Sequence, residues 1–597
     1  MIRGGEKFRF WLPVIALTGF GIFVFQSFIR AHFTLNAAEP KYEFTQKIVG
    51  RRGTIYGARG RSEPLAVSVP VWEYHLDPVA LTSRVVRAER KVIRSRQAIL
   101  RTISDTLKID YKRLVEMSHR SGRYQFLAVS SDSKVYEILT NPGYVSGVAV
   151  DTRLERHRIY GRHGSHILGS LNTEQLGVGG IEQRYQKYLT GVPGLIRGVR
   201  DASRHELYDK RIETIAPVAG ADVFLTIDHN LQYLVEQELA KGIAEYGAGT
   251  GWCLMMDAKT GAVLALASYP DYDPAIYGRA PETARLNRAI AFTYEPGSVM
   301  KVITAASALD AGLVRPTTLY ATNRDDPRYY RLPGDGRHVW NPYMTIQEAI
   351  EHSSNIVIGK LGVDMGRERL WGYMKAFGFG QRTGIELPGE EAGILPPGNK
   401  WDLVKCSRAP IGQGVAVTAI QLASAYQALA NEGVRMRPYL VSRVEASDGR
   451  VLHQHIDEVL SRPVSREAAR ESREMMLGVA SPNGTARRAA IRGYSVAGKT
   501  GTAQKVVDGH YSDSLYRATF CGIVPSGVVK RQEDDLLPEP ARLVILVTLD
   551  FDQRTLYHQG GNSSAPIFKR IATSALRYLA VEPDRPDELI DYEEDEP

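Results

Sequence analysis

Ser298 and Lys301 stand three residues apart in the stretch EPGSVMK, a spacing that puts a hydroxyl and an amine on one face of a helix, one turn apart. A serine hydroxyl is a poor nucleophile near neutral pH unless a neighbouring base takes its proton. Lysine can be that base only if its pKa falls, which burial and a second nearby cation both bring about. Two further short motifs follow in the chain, Ser353-Ser354-Asn355 and Lys499-Thr500-Gly501-Thr502. A Ser-x-x-Lys pair with a Ser-x-Asn and a Lys-Thr-Gly segment reads as a serine acyl-transfer site, with Lys499 as the second cation.

Each motif has a decoy earlier in the chain and in the same order: SDSK at Ser131 to Lys134, SLN at Ser170 to Asn172, and KTG at Lys259 to Gly261. The elements around each motif separate the two sets. Ser298 follows Pro296-Gly297 and opens the run VMKVITAASALDAG, whose Val302, Ile303, Ala306 and Leu309 recur at helical spacing before a glycine stop. The backbone N–H of Ser298 is thereby expected at a helix N-terminus, where a developing oxyanion is stabilised. Ser131 sits among polar residues, with no such helix expected after it. The first KTG joins two strand-like runs, WCLMMDA and AVLALAS, so Lys259 belongs to a hairpin turn facing solvent. The second KTG continues the strand-like run GYSVAG into TAQKVV, which lets an edge strand line a cleft. The three decoys read as solvated loops.

Composition and charge bound the rest. A chain of 597 residues, 43% of them hydrophobic, implies several domains with ordinary cores. Cys253, Cys406 and Cys521 make an odd number without metal-ligand spacing, so neither a disulfide framework nor a metal site is expected, and Cys253 and Cys521 read as small buried hydrophobes. Phe10 to Ile29 is an apolar stretch of bilayer-spanning length preceded by Arg3, Lys7 and Arg9. It reads as an uncleaved single-span anchor with residues 1–9 in the cytoplasm and everything after Arg30 outside. A cleaved signal is disfavoured, because the apolar run is too long and LNAAE lacks small residues at both required positions. The stretch Glu582 to Pro597 holds nine acids and one arginine, a net −8, so the remainder of a chain with formal net charge +8 carries +16. That tail, 581–597, is expected to be disordered. The basic body suits anionic lipid or envelope polymers, and nucleic acid is disfavoured because the bulk of the chain is expected outside the cytoplasm. Residues Ser83 to about Leu107 read as one arginine-rich helix with Val85, Val92, Ile99, Ile103 and Leu107 as its buried stripe and a solvated charged face.

Longer stretches around the second motif set resemble the class B penicillin-binding proteins, the monofunctional peptidoglycan DD-transpeptidases, over nearly the whole chain. They include GADVFLTIDHNLQ from Gly220, DAKTGAVLALASYPDYDP from Asp257, NRAIAFTYEPGSVMK from Asn287, GQGVAVTAIQLASAYQALAN from Gly412 and GGNSSAPIF from Gly560. In the N-terminal half they include RRGTIYGARG from Arg51 and GGIEQRYQKYLTG from Gly179. One departure is Gly57, which stands where the family usually has an acidic residue. SSN with KTGT looks like the septal, FtsI-type branch rather than the elongation type.

The resemblance implies an α/β protein: a single N-terminal transmembrane helix over 10–29, an extended mixed α/β pedestal of the dimerisation type over 30–217, and an α/β/α transpeptidase domain like the serine β-lactamases over 218–580. It implies Ser298 as nucleophile, Lys301 as general base, and Ser353, Asn355 and Lys499 in proton relay and substrate orientation. Thr500, Gly501 and Thr502 would bind the substrate carboxylate, with the backbone N–H groups of Ser298 and Thr502 as oxyanion hole. No cofactor and no metal are implied. Implied partners are peptidoglycan stem peptides, β-lactams as covalent inhibitors, and an FtsW-type glycan polymerase with other division proteins at the septum of the bacterial cytoplasmic membrane. No glycosyltransferase domain is expected, nor an ExxLN-type segment of the class A β-lactamases after Ser298, which favours a long-lived acyl-enzyme and transfer over hydrolysis. A DD-carboxypeptidase or β-lactamase on the same site, and a division scaffold with a vestigial site, are the alternatives.

Overall fold

The computed structural model describes residues 18, 20–27, 42–81, 84–87, 90–93, 95–122, 124–141, 144–200, 206–207, 211–329, 332–335, 341–527, 543–553, 555, 557–586 and 588. They belong to two compact units, one of residues 1–51 with 191–219, the other of 52–190 with 220–597. In the first unit Tyr42–Ile48 pairs antiparallel with Gly194–Arg200, and Glu213–Ile215 and Glu206–Leu207 extend the same sheet. Among the described residues no helix is long and apolar enough to cross a membrane. The anchor expected over 10–29 lies mostly outside them, with residues 18 and 20–27 helical.

The second unit is organised on a five-stranded antiparallel sheet. The run RLVILVTLD has the apolar continuity of a strand covered on both faces, and Leu543–Asp550 is indeed third of five, buried at all 8 positions. Thr250–Asp257 and then Val263–Tyr269 lie on one side of it, His510–Val524 and then the edge strand Ala497–Val507 on the other. Alternate residues of a strand face opposite layers. Phe520 packs edge-on against Phe568 of the helix Ser564–Tyr578, with ring centroids 4.8 Å apart. Gly242 of the helix His229–Tyr246 meets the same layer, where a Cβ would come within 2.2 Å of Ile567. On the other face lies the helix Ala419–Ala430, begun by a Thr418–Gln421 capping box, buried at every position and with Tyr426 beside Cys521. The result is an α/β/α sandwich. Cys253, Cys406 and Cys521 are all buried and free, as small apolar side chains.

A second sheet, of seven strands, draws on residues from both sides of position 218. Ile55–Tyr56 runs parallel to Asp222–Leu225, which pairs with Val441–Glu445. In the other direction Ile55–Tyr56 pairs with Pro64–Leu76, which is flanked by Gln125–Ser130 and Val148–Arg158. The RRGTIY and GGIEQRY segments meet beside this sheet. Glu182, fully buried, takes Arg52 Nε on one carboxylate oxygen and Arg156 Nε on the other, both at 2.7 Å. Burial pushes the Glu182 pKa up, but Arg156, Arg52 and Arg158 together outweigh it and hold the carboxyl below its ordinary value. Gly180 makes this approach possible: its φ is +54° and a Cβ there would lie 2.2 Å from the Ile167 carbonyl oxygen. The departure at Gly57 is also explained, because a Cβ at that position would come within 2.3 Å of a carboxylate oxygen of Glu63. Glu63, 4% exposed, accepts from the backbone N–H groups of Arg59 and His229, so a carboxylate reaches this spot from six residues downstream.

Two expectations are corrected. The stretch from Ser83 is not one helix: Arg84–Arg87 and Arg90–Ile93 form an antiparallel pair, and the helix spans Arg96–Leu107, with the Ser95 hydroxyl accepting from Ala98 N. Val85, Val86, Val92 and Ile93 are β-branched and suit a strand, and the serine caps where the helix begins. Ile99 and Ile103 do face a core, one shared with Tyr74, Leu114 and Leu127. The disorder expected from 581 onward does not hold for its first residues. Asp584 is 8% exposed and accepts from Ser495 N at 2.7 Å, while 589–597 lie outside the described residues.

Replacing Glu182 by alanine leaves two buried guanidinium groups without their shared carboxylate, a loss expected to cost about 3–5 kcal/mol. A urea midpoint for Glu182→Ala equal to that of the unaltered protein would contradict this reading of the cluster.

Candidate active site

Ser298 lies in a single 3₁₀ turn, Gly297–Val299, that leads into the helix Met300–Asp310. Nothing between Val299 and Asp310 breaks a helix, and the chain leaves it at Gly312, φ +66°. The helix is buried around its whole circumference from Met300 to Leu309, so Lys301 has no exposure to water at all. The turn is anchored from the helix Ala419–Ala430, whose Tyr426 hydroxyl donates to the Val299 carbonyl at 2.8 Å.

The Lys301 ammonium donates to the Ser353 carbonyl at 2.5 Å and to the Ser353 hydroxyl at 3.0 Å. Lys499, also fully buried, reaches the same hydroxyl oxygen at 2.9 Å and the Thr500 carbonyl at 3.2 Å. Burial pulls the Lys301 pKa down to about 7, with Asp335 acting in the opposite direction. Burial also takes Lys499 well below its ordinary value, and Lys301 beside it adds to the effect. Two amines sharing one hydroxyl in the protein interior cannot both stay charged cheaply, so near neutral pH the pair holds fewer than two extra protons.

Ser353 adopts φ +63°, the left-handed region that costs a residue with a side chain about 1–3 kcal/mol. The conformation is held from both sides. Lys301 binds its carbonyl and hydroxyl, and the next residue, Ser354, caps the helix Asn355–Met365 by accepting from Val357 N. Asp335 completes that end. Its carboxylate accepts from Ser354 Oγ at 2.7 Å, from Ile356 N at 3.2 Å and from Asn355 N. The Asn355 amide donates to the Gly334 carbonyl at 2.7 Å. Lys360, on the same helix, pins the preceding part of that segment by donating to Ala321 O at 2.9 Å and Asn323 Oδ1 at 2.8 Å.

Lys301, Ser353, Lys499 and Thr500 therefore form one hydrogen-bonded group. Ser298, Asn355 and Thr502 line an adjoining cavity of about 300 Å³, together with Glu295, Arg408 and Tyr511. Gly501 is where the edge strand passes the Ser298 turn, since a Cβ there would lie 3.0 Å from the Pro296 carbonyl. Among the described residues the Ser298 hydroxyl forms no hydrogen bond with Lys301, which donates instead to two oxygens of Ser353. The helical spacing alone suggested the direct pairing. The tertiary fold instead brings Ser353 to the amine.

The decoys fall elsewhere. Lys259 is exposed in the turn after Thr250–Asp257, where the Asp257 carboxylate collects Thr260 N and Oγ1 at 2.7 Å. Ser131 and Lys134 are exposed as expected, but an eight-residue helix, Ser133–Thr140, does follow, capped by Asp132. Ser170 is no solvated loop residue: it is 2% exposed and donates to the Pro274 carbonyl at 2.5 Å. Sequence reasoning missed Asp335, which sits in the turn-like PGDG with no motif to mark it. It also gave no role to Glu295, three residues before Ser298, which accepts from Gly414 N at 2.6 Å and from the Tyr511 hydroxyl at 3.1 Å.

Two family models match the chain: the penicillin binding protein transpeptidase domain over residues 251–573 and the penicillin-binding protein dimerisation domain over 47–225. The chain is 31% identical over 554 residues to the peptidoglycan D,D-transpeptidase FtsI of Escherichia coli K12, covering 90% of this chain and 85% of that one. It is 34% identical over 427 residues to penicillin-binding protein PbpB of Mycolicibacterium smegmatis, covering 69% of this chain and spanning 63% of the relative's length. Among solved structures, penicillin binding protein 3 from Mycobacterium tuberculosis in complex with aztreonam superposes with a TM-score of 0.66 at 26% identity, covering 90% of this chain and 98% of that one.

Asp335 is the carboxylate that favours a charged Lys301, so Asp335→Asn is expected to move the lysine's titration to below about 7 while the amide still caps the helix. Carbon-13 NMR of labelled lysine side chains reads this directly, and an unmoved Lys301 midpoint would remove Asp335 from the site's electrostatics.

Proposed function

The chain belongs to the class B penicillin-binding proteins, and on that premise we propose that it cross-links peptidoglycan stem peptides by acyl transfer through Ser298. The observation that carries this is the meeting of two buried amines, Lys301 and Lys499, on the Ser353 hydroxyl at 3.0 and 2.9 Å, beside a cavity lined by Ser298, Asn355 and Thr502.

In the first step Ser298 Oγ bonds to the penultimate D-Ala carbonyl carbon, and its proton goes to the neutral Lys301 amine. The oxyanion that forms is held by the backbone N–H groups of Ser298 and Thr502, each such donor contributing about 10²- to 10³-fold in rate. As the tetrahedral centre collapses, the C–N bond breaks and the departing D-Ala amine takes a proton passed from the lysines through Ser353. The terminal carboxylate of the donor peptide lies against Thr500, Gly501 and Thr502, where the two threonine hydroxyls can donate to it and its charge favours protonation of the nearby Lys499. Asn355 orients the peptide backbone. In the second step the amine of a neighbouring stem peptide attacks the ester, an amide forms, and Ser298 recovers its proton. A β-lactam enters by the same first step but offers no departing fragment, so its acyl-enzyme persists.

The same reading assigns residues 10–29 to a single-span membrane anchor, 30–217 to a pedestal and 218–580 to the transpeptidase domain. The family models over 47–225 and 251–573 support the pedestal and transpeptidase parts of it. We also propose a place at the division septum, in keeping with the likeness to FtsI, and an FtsW-type glycan polymerase as partner; imaging of the tagged protein tests the place, and signal confined to the side wall would overturn it.

Fluorescent penicillin should label the protein covalently and leave Ser298→Ala unlabelled. With a stem peptide as donor, cross-linked product should form only when an acceptor amine is supplied; free D-Ala without product would point to a hydrolase. Because Lys301 accepts a proton only when neutral, the acylation rate should rise about tenfold per pH unit below about 7 and level off above it. A flat profile from pH 5.5 to 8 would remove Lys301 as the base.

A further inference from the structure

The strand that carries Lys499 to Thr502 lies at the edge of its sheet and, among the described residues, pairs with one neighbouring strand, His510–Val524. A two-residue turn joins Val507 to His510 and sets the register at that end of the hairpin, but a register shift between Gln504 and Val506 separates the turn from Lys499, and a slip of one residue at the open end would turn Lys499 to the opposite face. In the observed register Ala497 lies opposite Ile523 and Lys499 opposite Cys521.

Just before the strand, Ser495 is tied to Ser526, just beyond the end of the neighbouring strand. Ser526 N donates to Ser495 Oγ at 2.9 Å and to Ser495 O at 3.0 Å, and the two hydroxyl oxygens are 2.6 Å apart. The Asp584 carboxylate closes this junction. One oxygen accepts from Ser495 N at 2.7 Å and the other from Ser495 Oγ. Its neighbours reinforce the contact: Arg585 N donates to Gly493 O at 3.0 Å, Arg492 Nε to Glu588 O at 2.7 Å, and the Tyr494 hydroxyl to Val581 O at 2.7 Å. Asp584 is 8% exposed, Ser495 and Ser526 are fully buried, and among the described residues no lysine or arginine pairs with this carboxylate. By accepting from both the backbone and the hydroxyl of Ser495, the carboxylate fixes that residue's position directly.

We infer that Asp584 is a positioning residue for the acyl transfer: the segment after the final helix returns to clamp the entry of the Lys499–Thr502 strand, holding the register that presents Lys499 to Ser353. The inference rests on the acyl-transfer reading above.

The test is the rate of fluorescent-penicillin acylation by the full-length protein, expressed per active site counted from the labelling endpoint. Unfolded molecules then lower the endpoint and not the rate. Asp584→Ala should acylate about tenfold or more slowly per site, as expected when a reacting group is displaced by a fraction of an ångström to an ångström. Asp584→Asn, which can still accept from Ser495 N and donate to its hydroxyl, should stay within about threefold of the unaltered rate. Ser495→Ala should slow the reaction as Asp584→Ala does, and the double variant should be no slower than either single one. A rate per site equal to the unaltered protein in Asp584→Ala, or in Ser495→Ala should the former not fold, would overturn the inference, as would additive losses in the double variant. Labelling of Ser298→Ala would instead sink the acyl-transfer reading. Normal Asp584→Ala rates with a silent Ser298→Ala would sink this assignment alone.

Discussion

Two amines buried against one hydroxyl set the terms for the rest of the molecule. An ammonium group taken out of water loses its hydration, and the interior answers by lowering its proton affinity. Here Lys301 is brought to about 7 and Lys499 is pushed down further by its neighbour. That outcome needs complete exclusion of solvent from both side chains, and no single element can supply it. The helix Met300–Asp310 must be covered on every side, the edge strand must lie flat against its first turn, and Ser353 must arrive in a backbone conformation that it would not choose alone.

The architecture meets these requirements by dividing the work. The five-stranded sheet, with its central strand buried along its whole length, is the rigid wall on which Ala497–Val507 is hung. The all-buried helix Ala419–Ala430 packs beneath the Ser298 turn and holds it by Tyr426. The segment carrying Gly334 and Asp335 caps the helix Asn355–Met365 and so fixes Ser353 and Asn355 together. Glycine appears where backbones must touch, as at Gly501 beside Pro296. Farther off, the Arg52–Glu182–Arg156 cluster ties the N-terminal segments to one another beside the sheet that also includes Asp222–Leu225.

Where local reading failed, either a competing local preference or a contact made by the fold had won. The arginine-rich stretch from Ser83 has helical periodicity, but its paired β-branched residues form two short strands before Ser95 caps a shorter helix. The acidic run after Val581 has the composition of a disordered tail, yet Asp584 finds two hydrogen-bond donors on Ser495, which composition cannot reveal. Gly57 looked like a lost acidic position, and the carboxylate came instead from Glu63.

The sequence by itself determined the kind of chemistry, because Ser-x-x-Lys, Ser-x-Asn and Lys-Thr-Gly are local patterns whose residue types and flanking periodicities survive without any fold. It also determined the helix that follows Ser298, the hairpin around the first KTG and the strand that carries the second, since apolar runs and helical spacing are properties of neighbours in the chain. Only the tertiary structure decided which groups touch. That Lys301 and Lys499 meet at Ser353, that Asp335 stands beside them and that Asp584 braces the strand are contacts between residues tens to hundreds of positions apart. Burial, and with it the lowered proton affinity of the lysines, exists only once distant elements have closed around them.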